Sequence, residues 1–433
     1  MMSSITMMDF IKKRQTWASI AVCIVLILVL IWIPTGFEEA GAAYRDGGER
    51  VKAEVISVDN STVINTGLVQ SGEQACEVTL LGGNHKGETY WAANKLTGSL
   101  EQDKIYEEGD KALVLVSFND DEVSSVSMID HYRLNLEILL LAAFFLFLIL
   151  FARGTGLRAI LSFILSVLAI WKVLVPCCLK GMDPILVGGA ITALLTIMII
   201  ALVFGFDRRC LAAVTGALSG LLLTCILGII CTSSFKIQGA VMSFSETLLY
   251  SGYENLNLTR IFMASIFVGS SGAMMDLTVD ITAAVNEVVQ KRPDLSRWEA
   301  AVSGMHVGQA AMGTMTTTLL LAYSGGYIAL LMVFMAQGTP IINILNYKYV
   351  TSEIIHTLVG SFGLVLAAPL TALASGWILA GRAGNVSETD GSANGSGVDE
   401  TDTVSEAGGN AGLSGDDETA AIWETDETAG IRN

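Results

Sequence analysis

The sequence predicts an α-helical polytopic membrane protein of about eight transmembrane helices, with an extracytoplasmic all-β domain between the first and second and a disordered acidic C-terminal tail. Three observations carry that reading. The 433 residues are 52% hydrophobic and 15% charged, with mean hydropathy +0.56, where an ordinary soluble domain holds about 25% charged residues. Uncharged apolar runs long enough to cross a bilayer recur along the chain. The acids are gathered into two stretches: residues 34–133 hold 18 acids against 8 bases, and residues 383–433 hold 12 against 1. The formal charge of -17 excludes a nucleic-acid partner, which needs a dense basic surface. The composition excludes an ordinary cytosolic enzyme.

Residues 1–16 form a cytoplasmic N-terminus. Lys12, Lys13 and Arg14 precede the first apolar run, 17–33, and basic residues beside a span stay on the cytoplasmic side. The run is longer than the roughly 7–15 apolar residues of a signal peptide, which favours an uncleaved anchor. The small residues Ala40, Gly41, Ala42 and Ala43 that follow keep cleavage open.

The stretch 34–133 contains β-branched segments, Val51–Val58, Cys76–Leu81 and Lys111–Phe118, bounded by turn-forming Gly82-Gly83-Asn84 and Glu108-Gly109-Asp110. Such punctuation predicts strands in a compact domain, with a small barrel the natural form. Trp91 and His85 are its candidate ligand-facing residues, weighed against a structural aromatic and a surface histidine.

From 136 to 380 the sequence predicts a seven-helix membrane bundle, with spans at 136–152, 157–175, 184–204, 211–231, 260–280, 313–336 and 354–380. Counting sides alternately from the N-terminus, Arg153 and Arg158, then Arg208 and Arg209, then Lys291, Arg292 and Arg297, and finally Arg382 all fall on the cytoplasmic side. Residues 381–433 have hardly any large apolar side chains and cannot offset the entropy of ordering, so a disordered cytoplasmic tail is expected. The seven cysteines show no Cys-x-x-Cys spacing, which indicates neither a zinc site nor a disulfide framework. No cofactor is expected.

Ionisable residues within a span cost about 2.5 to 3.5 kcal/mol on insertion scales and are functional candidates for that reason. Asp276, Asp280 and Glu287 provide three. Relative to Asp276, Asp280 lies about 40° and Glu287 about 20° round an ideal helix, so all three share a face. Such a stripe can bind a cation or relay protons; the rival reading has Asp280 and Glu287 wet at the inner surface. A second polar cluster runs from Ser303 to Thr318, and there His306, Gln309 and Thr317 are candidates to face Asp276 across a polar pathway. The alternative makes its glycines and threonines helix-packing glue. Pro293 and the box Ser296-x-x-Glu299 mark a helix start before it. Ser324-Gly325-Gly326 suits either a broken transporter helix or a turn. Glu353 and His356, three apart, read as an interfacial ion pair or a metal pair. Gly269-Ser270-Ser271-Gly272 matches the short nucleophile motif of rhomboid-type proteases, with His306 as its base in that reading.

Asp276-Leu-Thr-Val-Asp280-Ile-Thr-Ala-Ala-Val-Asn286-Glu287, Ser303-Gly-Met-His306-Val-Gly308, Met312-Gly-Thr-Met-Thr316, Thr318 to Gly326, Glu353-Ile and Gly363 to Ala372 together resemble the YibE/F family of bacterial multi-pass membrane proteins. The resemblance covers roughly residues 136–380, and the β domain more loosely. It implies a polytopic plasma-membrane protein with an extracytoplasmic N-terminal domain. The sequence departs from the family pattern, which has Asn at position 306, Arg-Asp at 309–310 and Asn at 317, and this weakens a second acidic site.

The six later spans divide into two groups of three with opposite entry sides, the arithmetic of an inverted repeat. With the carboxylates and glycine breaks, this favours a transporter or permease of a small solute or ion, cation- or proton-coupled. In that reading Asp276 is the ion or proton site, Asp280 supports it, and Gln309 and Thr317 line the path. A non-catalytic scaffold or sensor using the outer domain and tail is the alternative, and an intramembrane hydrolase the remote one. Expected partners are the lipid bilayer and the solute, with a homo-oligomer or a membrane partner left open.

Overall fold

The structure, a computed structural model, describes residues 2–38, 48–119 and 122–380, with side chains from residue 17 onward apart from residue 119. The predicted tail lies outside the described residues.

The predicted β domain is a barrel. Strands β1 (Glu49–Asp59), β2 (Ile64–Asn65), β3 (Gln70–Leu80), β4 (Thr89–Thr97), β5 (Lys111–Asn119) and β6 (Glu122–His131) join in the order β1-β5-β6-β4-β3-β2, and β1 also pairs with β3. Five strands therefore close on themselves, with β2 appended. The pairings are antiparallel except β4 with β6, the mark of a Greek-key crossover as in small five-stranded barrels. Period-two alternation turns Val51, Ala53 and Val55 inward to meet Cys76, Val78, Leu80, Ala112, Val114 and Val116. The three segments legible in the sequence are β1, β3 and β5. The other strands carry more polar residues, and β4 turns one of them, Asn94, inward. There Gln74 is fully buried. Its Nε2 donates to Asn60 Oδ1 at 2.9 Å and the Tyr106 carbonyl at 3.0 Å, and its Oε1 accepts from Asn94 at 3.1 Å and the Tyr106 amide at 3.0 Å. Every amide position of that side chain is used, so the polar group is held in the core without penalty.

The remainder is helical: α1 (Met2–Trp32), α2 (Leu134–Ala169), α3 (Val175–Leu179), α4 (Pro184–Phe204), α5 (Arg208–Ser234), α6 (Ser245–Tyr250), α7 (Leu258–Lys291), α8 (Arg297–Ser324), α9 (Ile328–Ala336), α10 (Ile341–Asn346) and α11 (Lys348–Leu379). Six helical stretches among the described residues are long and apolar enough to cross a membrane, and the apolar part of α1, Trp17–Trp32, is shorter. One of the six, Leu134–Leu179, is not straight. Arg153 sits at φ 46°, ψ -121°, and the rings of Phe145 and Phe163 lie 6.0 Å apart, where an unbroken helix would separate them by about 27 Å. The chain thus reverses at Arg153, between the predicted spans 136–152 and 157–175. A Cβ on Gly156 would lie 2.3 Å from the Leu148 carbonyl oxygen, so only glycine admits this return.

The predicted spans 260–280 and 313–336 are too short. α7 runs on to Lys291, and α8 begins at Arg297, where Ser296 and Glu299 form the expected capping box at 3.2 and 2.9 Å. Hydropathy marks only the apolar part of a helix, whereas capping sets its end. The Gly325–Tyr327 segment is a 3₁₀ turn between α8 and α9, a bend within the stretch Arg297–Ala336.

α11 is the centre of the bundle and packs against α5, α7 and α8. Small residues make this approach close. A Cβ on Gly363 would meet Thr224 Oγ1 at 1.8 Å, one on Gly216 would meet Thr371 Oγ1 at 2.1 Å, and one on Gly220 would meet Ala367 Cβ at 2.6 Å. Without a hydrophobic force between helices in lipid, such backbone proximity supplies van der Waals attraction. Met263, Met274, Met305, Met312 and Met315 fill gaps in the same core.

Candidate functional site

α7 carries the predicted acidic stripe. Gly269, Gly272, Asp276, Asp280, Ala283 and Glu287 are all exposed, and their spacing of three and four residues places them on one face. The opposite face, with Met274, Leu277, Thr278, Ile281, Thr282 and Val285, is buried. Thr282 meets Ser375 of α11 there at 3.0 Å. The full length of α7 alters the expected depth of the acids. Asp276 lies about 24 Å from Arg260 and about 22 Å from Lys291 along the axis, near the middle of the helix. Glu287 lies in the last turns and is paired with Lys291 at 2.6 Å, which makes it a solvated partner of a helix-terminal lysine. Asp276 and Asp280 make no hydrogen bond or ion pair with any described residue.

The two ends of α7 are marked differently. At one end Arg260 Nε donates to Asp183 Oδ1 at 3.1 Å and Nη2 donates to Oδ2, while Asp183 also caps α4 by accepting from the Ile185 amide at 2.9 Å. Desolvation opposes ionisation of this carboxyl, but Arg260 and the α4 amides outweigh it and hold it below the usual carboxylate range. At the other end exposed Trp298 and Trp377, with the Arg297 guanidinium 5.4 Å from the Trp377 ring centroid, form the kind of aromatic belt that sits at a bilayer interface.

The second predicted cluster is not brought to the first. His306, Gln309 and Thr317 are exposed on α8, on the side away from Gly304 and Gly308, which pack on α7 and α11. The expectation that they face Asp276 is corrected accordingly: on this helix the small residues, and not the polar ones, turn inward. The hydroxyls are satisfied within the helix, Thr317 donating to the Gly313 carbonyl at 3.0 Å and Thr316 to that of Met312 at 2.8 Å. Ser271 donates to the Val268 carbonyl at 2.7 Å from the buried face of α7, and no hydrogen bond joins it to His306 among the described residues.

Glu353 and His356 form no ion pair with each other, and no group of three or more His, Cys, Asp or Glu side chains gathers as a metal site among the described residues. His356 Nε2 lies 3.2 Å from the Ser265 carbonyl oxygen, and its ring stacks on Tyr323 at 4.4 Å. Gly269 admits this stack, because a Cβ there would lie 2.6 Å from the Tyr323 hydroxyl. Sequence reasoning missed Tyr323, Tyr327 and the Asp183–Arg260 pair. The last had a signal in Asp183-Pro184, a capping residue followed by proline at the first helical position.

These helices, their belt and the mid-helix carboxylates define a helical membrane-bundle protein with an appended β-barrel. The chain belongs to the YibE/F-like protein family, whose model matches residues 140–381, the bundle. Comparison with curated proteins and with solved structures gave no match.

Proposed function

We propose that the protein is a transporter or permease for a small solute or ion, coupled to a cation or proton held at Asp276, with Asp280 beside it. The observation that carries the reading is the pair of exposed carboxylates without a cationic partner, midway along a membrane helix. An ionised carboxylate against lipid is costly, so such a group has to face water, a bound cation or a proton. Gly272 and Ala283 keep the same face low, and nothing lies within 4 Å of where a Cβ on Gly272 would stand, which leaves room for one. In the proposed arrangement eight spans place both termini in the bacterial cytoplasm and the barrel outside the plasma membrane. His306, Gln309 and Thr317, turned away from Asp276, do not line this path in the conformation described.

The test compares ion and metabolite contents of cells expressing wild type, Asp276→Asn and Asp280→Asn, after equal membrane insertion is verified. A solute change with wild type that is abolished by Asp276→Asn and weakened by Asp280→Asn supports the proposal. Profiles equal to the empty-vector control refute it. The close packing of α11 on α5, α7 and α8 favours a second reading, a rigid scaffold or sensor in which the barrel and the acidic tail capture partners. That reading expects normal function from Asp276→Asn and loss on deleting the barrel.

A further inference from the structure

The barrel passes into the membrane bundle almost without a linker. β6 ends at His131 and α2 begins at Leu134. Tyr132 is still held to the barrel, its amide donating to the Lys111 carbonyl at 2.7 Å, and Arg133 is already the N-cap of α2. Leu134 and Leu136 are exposed from the first turn of that helix, so the end of the barrel at which β6 stops lies at the surface of the bilayer. β1 imposes no rival placement, because residues 33–48 separate it from α1 and that length of chain can span about 50 Å.

Two loops share this end. Ala93 of β4 lies beside Ser127 of the parallel strand β6, so Thr97, four residues on, stands level with His131. Ser71 of β3 is the partner of Thr97 on the next ladder. The β2–β3 turn and the loop after β4 both extend past this row. They carry the most exposed large apolar side chains among the described residues of the barrel, Leu68 at 81%, Leu100 at 73% and Ile64 at 63%. Neither tip is slack. The Thr66 amide and hydroxyl both donate to the Val69 carbonyl, at 3.0 and 2.8 Å, and Asp103 accepts from the Thr97, Gly98 and Ser99 amides. A Cβ on Gly98 would stand 4.0 Å from Val69 Cγ2, so the two loops lie side by side. The other end of the barrel differs. Within residues 81–88 no large apolar side chain is exposed, and nearby Phe118 stacks on the His85 ring at 5.6 Å.

Hydrocarbon presented on ordered tips, at the end of a domain tethered directly to a bilayer, has an apolar surface waiting beside it. Residues 60–73 and 96–103 contain no Lys or Arg, and Glu73 and Glu101 are exposed, which removes any attraction to anionic headgroups. We propose that the barrel stands on the bilayer at this end, with Ile64, Leu68 and Leu100 seated among the headgroups and upper acyl chains of the leaflet in which α2 begins. The contact is with lipid, and its strength comes from apolar burial. It does not depend on the transport reading.

The experiment uses the full chain in phosphatidylcholine nanodiscs, with the photoreactive residue p-benzoylphenylalanine in place of Leu68, of Leu100 or, at the other end, of Lys86. After illumination, the mass of the intact protein counts lipid adducts. The expected result is an adduct yield at Leu68 and Leu100 at least fivefold that at Lys86, and no more than doubled when a third of the lipid is phosphatidylglycerol. With the photoreactive residue in place of Ile64, Leu68→Asp combined with Leu100→Asp should lower the adduct at least threefold with an unchanged elution profile. A short tether alone would not produce that loss. An excess over Lys86 below fivefold, crosslinks to a second copy in place of lipid, a larger rise with phosphatidylglycerol, or a smaller loss in the double variant overturns the proposal.

Discussion

Gly363→Ala should be among the more damaging single-methyl additions to the bundle, and its cost can be worked from three distances. The new Cβ would stand 1.8 Å from Thr224 Oγ1, 3.0 Å from Thr224 Cβ and 3.3 Å from its Cγ2, where carbon atoms in good contact are about 3.5–4.0 Å apart. Turning the hydroxyl away breaks its 2.8 Å bond to the Gly220 carbonyl, and leaving it in place forces α5 and α11 apart by more than about 1 Å. Overpacking of this kind costs roughly 1–3 kcal/mol. Every clashing atom belongs to one side chain, so Thr224→Ala should relieve most of the strain. Alone, Thr224→Ala should cost about 1 kcal/mol in lost packing, because the Gly220 carbonyl keeps its helical hydrogen bond. The double variant should therefore be more stable than the two single costs predict, by about 1–2 kcal/mol of coupling. Reversible unfolding in mixed micelles, followed by circular dichroism, measures all four corners of the cycle. Additivity within about 0.3 kcal/mol would refute the claim that α5 and α11 touch at this point.

Three further outcomes follow from other contacts. Thr282→Val should destabilise by about 1–3 kcal/mol by leaving the buried Ser375 hydroxyl without its partner, and adding Ser375→Ala should restore much of that in the same unfolding assay. Gln74→Leu should cost about 2–4 kcal/mol by depriving the Tyr106 amide and carbonyl of their side-chain partner, read as faster amide exchange across residues 98–106 of the full chain. The Thr97 amide bond to Asp103 comes first among the causes that hold this carboxyl below the usual range, helped by the Gly98 and Ser99 amides. A depressed folded value means the contact stabilises the loop above the usual aspartate range and loses that contribution as pH falls through the depressed value. Protection factors of Thr97, Gly98 and Ser99 should drop on acidification in wild type and be low and flat with pH in Asp103→Ala.

The sequence disclosed what depends on long uncharged runs and on caps. The bundle, the turn at Arg153, the start at Ser296 and the face shared by Asp276 and Asp280 were all legible, because charge exclusion, capping and a 100° repeat act locally. The orientation of α8 was not. In water a polar stripe identifies the outside of a helix. In lipid, packing selects small side chains, so Gly304 and Gly308 turn inward while His306 and Gln309 are left outside. Tyr323 and Tyr327 escaped notice because an aromatic in an apolar run carries no periodic mark, and only the meeting of α7, α8 and α11 gives them partners. In the barrel, β4 was missed since its buried Asn94 replaces the apolar residue that alternation leads one to expect.

The circular pairing of β1, β5, β6, β4 and β3 limits how this domain can be recognised. Each of the five long strands pairs with a strand on either side, but β4 and β6 meet only at Ala92–Val126 and Ala93–Ser127, so the places where an incoming peptide could add itself are confined to that seam and to the two residues of β2. Recognition by strand addition is thereby restricted to short stretches of this domain. Selectivity for anything it meets falls to side chains on its outer surface, among them Trp91, which stands 58% exposed on β4. Single substitutions on that surface can then change the choice of partner without unsettling the barrel beneath.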